Sequence, residues 1–479
     1  MITVDFEKRG SLGLCDFLCE SIRAQILSKK LRSGERLPSK RSLAEHLNIS
    51  VVTVQNAYSR LISEGYISSV EKRGYFVSEP GSEIYRESPR VSQVWSMEER
   101  EREREKYFAD FTSNTACMER FPFTQWTKIL RRILSSEKSR RIPRIDVHGA
   151  WELRCAIANY LAGFRNMDVS PDQIVIGSGS ESMYSMIVQF LGTDGIYAVE
   201  NPGYRTAAEI FSLCGAKCVP ASIDAFGMRT DVLEKINARV IHVSPLHHFP
   251  TGTVMPYQRR KELLSWAGKK KDRIIIEDDY DSEFRFNGNP IPTLQSGDKN
   301  GRVIYINTFS KTLSPSLRIS YMVLPKNLVR AFDRRMGFFS CPVSAFEQYA
   351  LGEFISGGYF EKHIIRMKNF YRNLRNEFVR SLLDSRLSEI ASIEESDSGL
   401  HFLLRVKSSC PRAELKRRLL MEGIKMQGLE EFYYTPAPHK KGEQVFVVNY
   451  SSLQKDKIRE IVEVLESVFF SKNTSLQSM

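Results

Sequence analysis

Between Leu12 and Lys30 the apolar residues Leu14, Phe17, Leu18, Ile22 and Ile26 recur at helical spacing and predict one amphipathic helix. The turn-rich segment "LRSGERLPSK" follows. Ser39 then stands ahead of "KRSLAEHL" and Ser50 ahead of "VVTVQNAYSRLISEG", where a serine oxygen can accept from the free N–H groups of a first helical turn. Two helices separated by only "NIS" predict a helix-turn-helix. Next, "YISSVEKRGYFV" has two β-prone runs around Lys72, Arg73 and Gly74, and the glycine permits a tight reversal. These runs predict a wing.

Regular alternation then lapses. Residues 79–106 are polar, with two prolines, and the run from Glu98 to Lys106 alternates in sign as a solvated helix does. The expected organisation is a domain at 1–80, a linker at 81–107 and a second domain at 108–475; an acidic partner-binding arm is the other reading of the middle segment. From Phe108 onward the β-prone runs "QIVIG", "IYAVE", "AKCVP", "RVIHVS", "RIIIED", "RVIYINT" and "ISYMVLP" alternate with helical stretches such as "SMYSMIVQFLG". That alternation predicts an α/β domain with a mostly parallel sheet, in which ligands gather beyond the carboxyl ends of the strands.

Composition narrows the classes. At 479 residues the chain exceeds one ordinary core, and 42% hydrophobic with 26% charged residues is a soluble globular balance. No apolar stretch approaches the ~20 residues of a membrane helix, and the start lacks a signal-peptide core, so no membrane role and a cytoplasmic location are expected. Eight scattered cysteines without a C-x-x-C pair argue against a disulfide framework or structural zinc. Adjacent His247 and His248 point different ways and lack an evident third ligand, so no metal is expected. A net charge of +12 permits an anionic partner, but residues 1–80 hold 12 Lys/Arg against 9 Asp/Glu, so charge alone does not single out DNA.

Order and spacing say more. In a winged helix the start of the second helix of the motif enters the major groove, while the first helix and the wing touch phosphates. Ser50, Thr53, Gln55 and Asn56 are the expected groove residues, and Lys40, Arg41, Lys72 and Arg73 the expected phosphate contacts. A three-helix protein-interaction module is the plainer alternative. The stretch "LPSKRSLAEHLNISVVTVQNAYSRLISEGYI…KRGYFV" resembles the GntR-type winged helix of bacterial regulators nearly end to end, which implies a double-stranded DNA operator. Val51 departs from that pattern, standing where the family usually has arginine.

In the second domain three polar clusters follow strands: Gly179, Ser180 and Glu181 after "IVIG", Asp278, Asp279 and Tyr280 in "RIIIEDDYDSEF", and Thr308, Ser310 and Lys311 after "RVIYIN". An amine for a Schiff base, a carboxylate for a ring nitrogen, and N–H groups, hydroxyls and a cation for a phosphate together suit pyridoxal 5′-phosphate. With "NPGYR", "HHFPTGTVMP", "EDDYDSEF" and "TFSKTLSPSLRISY" in order, residues 108 to about 470 resemble the fold-type I aminotransferases, and the whole chain is similar to the MocR/GabR branch of GntR regulators. The resemblance implies a smaller C-terminal α+β subdomain and a homodimer. It also implies that Lys311 bonds the cofactor aldehyde, Asp278 faces the ring nitrogen, Tyr280 faces the phenolic oxygen and Tyr204 stacks on the ring. Arg318, Ser310 and the turn at Gly179 and Ser180 would hold the phosphate, with His247 in the cofactor-side loop.

Two departures bear on activity. Aminotransferases of this class hold a substrate carboxylate with a late arginine, and none occurs from Glu422 to Ile458. Phe249 also stands where the enzymes place an asparagine. The expected function is therefore a transcriptional regulator that senses a small amine, an amino acid or pyridoxal 5′-phosphate itself. The alternative is an active aminotransferase with an accessory N-terminal module.

Overall fold

The structure is a computed structural model that describes residues 2–10, 12–71, 73–78, 107–113, 116–135, 144–288, 290–394, 398–435 and 442–470. The chain divides into two compact units, Met1–Glu103 and Arg104–Met479. The expected linker and Lys72 of the wing lie outside the described residues.

The first unit contains α1 (Leu14–Leu27), α2 (Lys40–His46) and α3 (Val51–Ser63), with the small antiparallel sheet β1–β3–β2 (Arg36–Leu37, Gly74–Val77 and Ile67–Val70). Both expected caps form: Ser39 Oγ accepts from the Ser42 N–H at 3.2 Å, and Ser50 Oγ from the Thr53 N–H at 3.0 Å. Leu18, Ile22, Leu43, Val54 and Leu61 are buried around Tyr58, whose hydroxyl donates to the Pro38 carbonyl at 3.0 Å. Gly74 opens the second wing strand at φ +109°, a region closed to most side chains. The turn-rich segment before α2 also contributes β1, which pairs with β3 and was not foreseen.

The second unit is built on an eight-stranded sheet whose spatial order is β5, β12, β11, β10, β9, β6, β7, β8. In chain order these are β5 (Ile174–Gly177), β6 (Ile196–Asn201), β7 (Lys217–Asp224), β8 (Gly227–Met228), β9 (Ala238–Val243), β10 (Ile274–Asp279), β11 (Val303–Thr308) and β12 (Ser320–Val323). The central strands β7, β6, β9, β10 and β11 run parallel, while β12 is antiparallel to both neighbours and β8 is antiparallel to β7. A smaller antiparallel sheet, β13–β14–β17–β16 (Ala391–Glu394, His401–Lys407, Glu443–Asn449 and Gln427–Gly428), packs with helices Arg412–Met421 and Ile458–Phe470 as the C-terminal subdomain. The opening strand of this unit, β4 (Ala109–Asp110), pairs with β15 (Ile424–Lys425) and buries Phe111 in that same core. No helix among the described residues is long and apolar enough to cross a membrane.

Strand β10 positions the site. Successive side chains of a strand point to opposite faces, so Ile274 and Ile276 enter one core while Ile275 enters the other. Asp278 then falls on the face of helix Ser180–Leu191, where Tyr184 waits, and Asp279 on the face of helix Trp151–Arg165. There Arg165 Nη2 donates to Asp279 Oδ2 at 2.8 Å and the Tyr305 hydroxyl donates to the same oxygen at 2.7 Å. Both partners of this ion pair are sealed from solvent, with side chains 2% and 1% exposed. Removing one partner of such a pair leaves an uncompensated buried charge. Arg165→Met is expected to lower the stability of this unit by about 3–5 kcal/mol in urea denaturation; a loss below about 1 kcal/mol, the size of a surface pair, would show that Tyr305 suffices for Asp279.

Candidate functional site

Several strand ends converge on one cavity of about 210 Å³. Asp278 and Tyr280 come from β10, Thr308 and Lys311 from β11 and the loop after it, Ser244 from beyond β9, Tyr204 from beyond β6, and Ser180 and Tyr184 from the helix after β5. Phe249 and Thr112 complete the wall. A dry cavity of ~150 Å³ accommodates benzene, so this one has room for a single substituted ring.

The walls have distinct chemistry. Tyr184 Oη donates to Asp278 Oδ2 at 2.5 Å, and burial holds that phenol well above its ordinary pKa, which keeps it a donor. His242 Nε2 lies 3.4 Å from the same Asp278 oxygen. Burial lowers the Lys311 pKa, while Asp281, Asp278 and Glu181 pull it back up. The Tyr204 ring lies 6.5 Å from Tyr184 and 6.3 Å from Phe249, forming an aromatic side. Behind Ser244, whose N–H donates to it at 3.1 Å, the buried Glu200 carboxyl is raised to about 8 by desolvation. His248 Nε2 is 3.5 Å from it, and burial lowers that imidazole to about 3. Burial thus opposes charge on both members of this pair.

The cavity has an anion-seeking end. Gly179 has φ +90°, and a Cβ there would stand 2.4 Å from Arg318 Nη2. Glycine therefore lets the guanidinium approach the first turn of helix Ser180–Leu191, whose free N–H groups favour an anion. Arg318 is half exposed and pairs with Glu181 at this end.

The residues named from sequence are distributed as follows. Lys311, Asp278, Tyr280, Tyr204 and Ser180 line the cavity. Gly179 and Arg318 flank its helix end. Ser310 is buried in the loop after β11, its hydroxyl donating to the Leu317 carbonyl at 3.3 Å, and Thr308 is the hydroxyl residue of that stretch on the cavity wall. His247 stands behind Tyr280, with Nδ1 3.1 Å from the phenol oxygen, and is not part of the wall. In the first unit Arg41, Ser50, Gln55, Asn56 and Arg73 are exposed, Thr53 is half-buried, and Lys40 is half-buried with its ammonium 5.7 Å from the Tyr75 ring centre.

Sequence reasoning missed Tyr184, Thr112, Asp281 and His401. Tyr184 had a signal: it follows Ser180 by four residues, one helical turn, and so shares its face. Thr112 had none, because only the pairing of β4 with β15 brings it here. Val51 and Val52 are 43% and 66% exposed on the first turn of α3, so the position at which Val51 departs from the winged-helix pattern presents an apolar pair.

Residues 108–465 match the family of aminotransferases of class I and II, and residues 14–77 match the gntR family of bacterial regulatory proteins. The chain is 34% identical to the HTH-type transcriptional regulator YdeL of Bacillus subtilis, over 92% of this chain and 93% of that one. It is 32% identical to the probable rhizopine catabolism regulatory protein MocR of Rhizobium meliloti, over 96% and 94% of the two chains. Among solved structures, the second unit is similar to a kynurenine aminotransferase of Pyrococcus horikoshii, with TM-score 0.67, 25% identity and coverage of 80% of this chain and 96% of that one.

Proposed function

The chain belongs to the MocR-type regulators, in which a gntR-family DNA-binding domain is joined to an aminotransferase class I and II domain, and from that premise we propose that the cavity at Lys311 senses a small amine, an amino acid or the cofactor itself. The protein is a transcriptional regulator that binds DNA, and the cofactor of its second domain is pyridoxal 5′-phosphate. The observation that carries the sensing proposal is the placement of the Lys311 amine and the Asp278 carboxyl on the walls of one ring-sized cavity.

The residues present fit the cofactor. When bound, pyridoxal 5′-phosphate supplies an aldehyde that captures amines and a ring that draws off electron density. Lys311 would hold the aldehyde carbon, aided by burial that favours its neutral, nucleophilic form. Asp278, fixed by Tyr184, would hold the proton on the ring nitrogen. Tyr280 would face the phenolic oxygen and Tyr204 would cover the ring, while Gly179, Ser180 and Arg318 would receive the phosphate and binding there would draw Arg318 from Glu181. Ser310 and His247 support this wall from behind.

Sensing rather than turnover is favoured by what lines the cavity. Among its described lining residues there is no arginine to clasp a substrate carboxylate in the bidentate way that aligns an amino acid for proton transfer. A homodimer in the cytoplasm is the proposed setting. Ser50, Thr53, Gln55 and Asn56 are the proposed groove residues, with Lys40, Arg41, Lys72 and Arg73 on phosphates.

Two outcomes check this reading. Borohydride reduction of the cofactor-loaded protein is expected to fix a pyridoxyl mass on the Lys311 peptide, with loss of near-visible absorption; Lys311→Ala should lack both, and retained label on the variant would refute the assignment. Arg41→Ala should weaken DNA binding evenly across sequences and reduce the slope of log affinity against log salt by about one. An unchanged slope would remove Arg41 from the phosphate contacts.

A further inference from the structure

Tyr280 and Asp281 leave the end of β10 toward one shared histidine. His247 Nδ1 lies 2.9 Å from Asp281 Oδ2, 3.1 Å from Asp281 Oδ1 and 3.1 Å from Tyr280 Oη. A carboxylate can only accept hydrogen bonds, so the hydrogen of His247 resides on Nδ1. A nitrogen that carries its hydrogen offers Tyr280 no lone pair. With that hydrogen directed at Asp281, Tyr280 finds no acceptor at Nδ1, and its own hydrogen is turned away from the histidine, toward the cavity that Tyr280 lines.

We propose that Asp281 and His247 are positioning residues that make Tyr280 an obligate hydrogen-bond donor to the phenolic oxygen of the cofactor. The proposal rests on the seating described above, with that oxygen facing Tyr280. It adds what a phenol alone lacks, a fixed direction for its hydrogen.

The packing holds the arrangement in place. The His247 and Asp281 side chains are 2% and 1% exposed. Gly399, at φ +73°, lies so close that a Cβ would stand 1.8 Å from His247 Cε1 and 2.6 Å from Asp281 Oδ2. On the far side the His401 ring is 4.5 Å from that of His247, and its Nε2 is 3.2 Å from the Pro250 carbonyl oxygen, which fixes the His401 hydrogen on Nε2. Burial keeps His401 well below its ordinary pKa, so it is a neutral neighbour that does not compete for Asp281. The other charged groups act on both: Lys311 lies in the field of Asp281, Asp278, Glu181 and Arg318, and Tyr280 in that of Asp281, Asp278, Asp279 and Glu200.

A donor at the phenolic oxygen favours the deprotonated form of the bound chromophore and lowers the pH at which its absorption changes. The test is a spectral pH titration of the cofactor-loaded protein. Tyr280→Phe removes the donor and is expected to raise the spectral pKa by about one unit, the order of a single hydrogen bond. In Asp281→Asn the charged acceptor that confines the hydrogen to Nδ1 is gone, so the histidine hydrogen moves to Nε2 and the freed Nδ1 lone pair accepts from Tyr280 instead. Loss of the Asp281 charge by itself lowers the spectral pKa, so the two effects are separated in a double-mutant cycle. Asp281→Asn measured in the wild-type background should lie about one unit higher than the same change measured in the Tyr280→Phe background. Equal shifts in both backgrounds would overturn the proposal. A second pair of variants covers a failure of Asp281→Asn to fold: His247→Leu should raise the spectral pKa, and His247→Asn, whose amide restores an N–H near the Nδ1 position, should recover most of the wild-type value. Identical behaviour of that pair would also overturn it. A wild-type protein with no pyridoxyl mass on Lys311 after reduction would overturn the seating and the relay together, whereas normal labelling without coupling removes the relay alone.

Discussion

A carboxyl group buried at the end of a parallel sheet has to be given partners, and the way Asp278 obtains them governs the site. Its face of the sheet is fixed by strand parity, its orientation by the Tyr184 hydroxyl at 2.5 Å, and it shares the cavity with the Lys311 amine. A ring nitrogen is the partner this wall still accommodates. Because parity alternates, the neighbouring acid Asp279 must turn to the opposite core, where it would be an isolated buried charge without Arg165 and Tyr305. Two adjacent aspartates thus serve different ends. One faces the cavity, and the other secures the strand that presents the first.

The same strand end accounts for the rest of "EDDYD". Glu277 accepts from the Leu294 and Gln295 N–H groups at 2.7 and 2.9 Å, burial raising its pKa to about 7, and so anchors the short helix Leu294–Gly297 against the sheet. Tyr280 and Asp281 meet at His247. Five consecutive polar residues are tolerated in this place because each has a polar partner, His247 being shared by Tyr280 and Asp281, which is the condition for burying polar groups at all. The helix-end glycine, Gly179, performs the complementary task with geometry in place of charge, leaving space where a side chain would collide with Arg318.

Much of this was legible in the sequence. Helical and strand periodicities gave the winged helix, with both serine caps, and the alternating second domain; strand ends marked Lys311, Asp278, Tyr280 and Ser180. What escaped was whatever long-range topology brings in. Thr112 reaches the cavity only because β4 pairs with β15, and His401 reaches His247 only because β14 lies against the large unit's loops. Antiparallel β12, inserted between β5 and β11, has the same apolar pattern as its parallel neighbours, and periodicity carries no direction. The phosphate role of Ser310 came from the family resemblance, which carries no rotamer; in the structure that hydroxyl donates to the Leu317 carbonyl.

Under the proposed function, cofactor chemistry in one unit regulates DNA grip in the other, which is a coupling free energy and must appear as a change in affinity. The direct measurement is DNA affinity for the sequence upstream of the protein's own gene, with apo-protein, with pyridoxal 5′-phosphate, and with candidate amines and amino acids added, for wild type and Lys311→Ala alike. An affinity change of about fivefold or more in wild type, absent in Lys311→Ala, is the expected result. The same response in both proteins, or none in wild type across cofactor and amines, would contradict it.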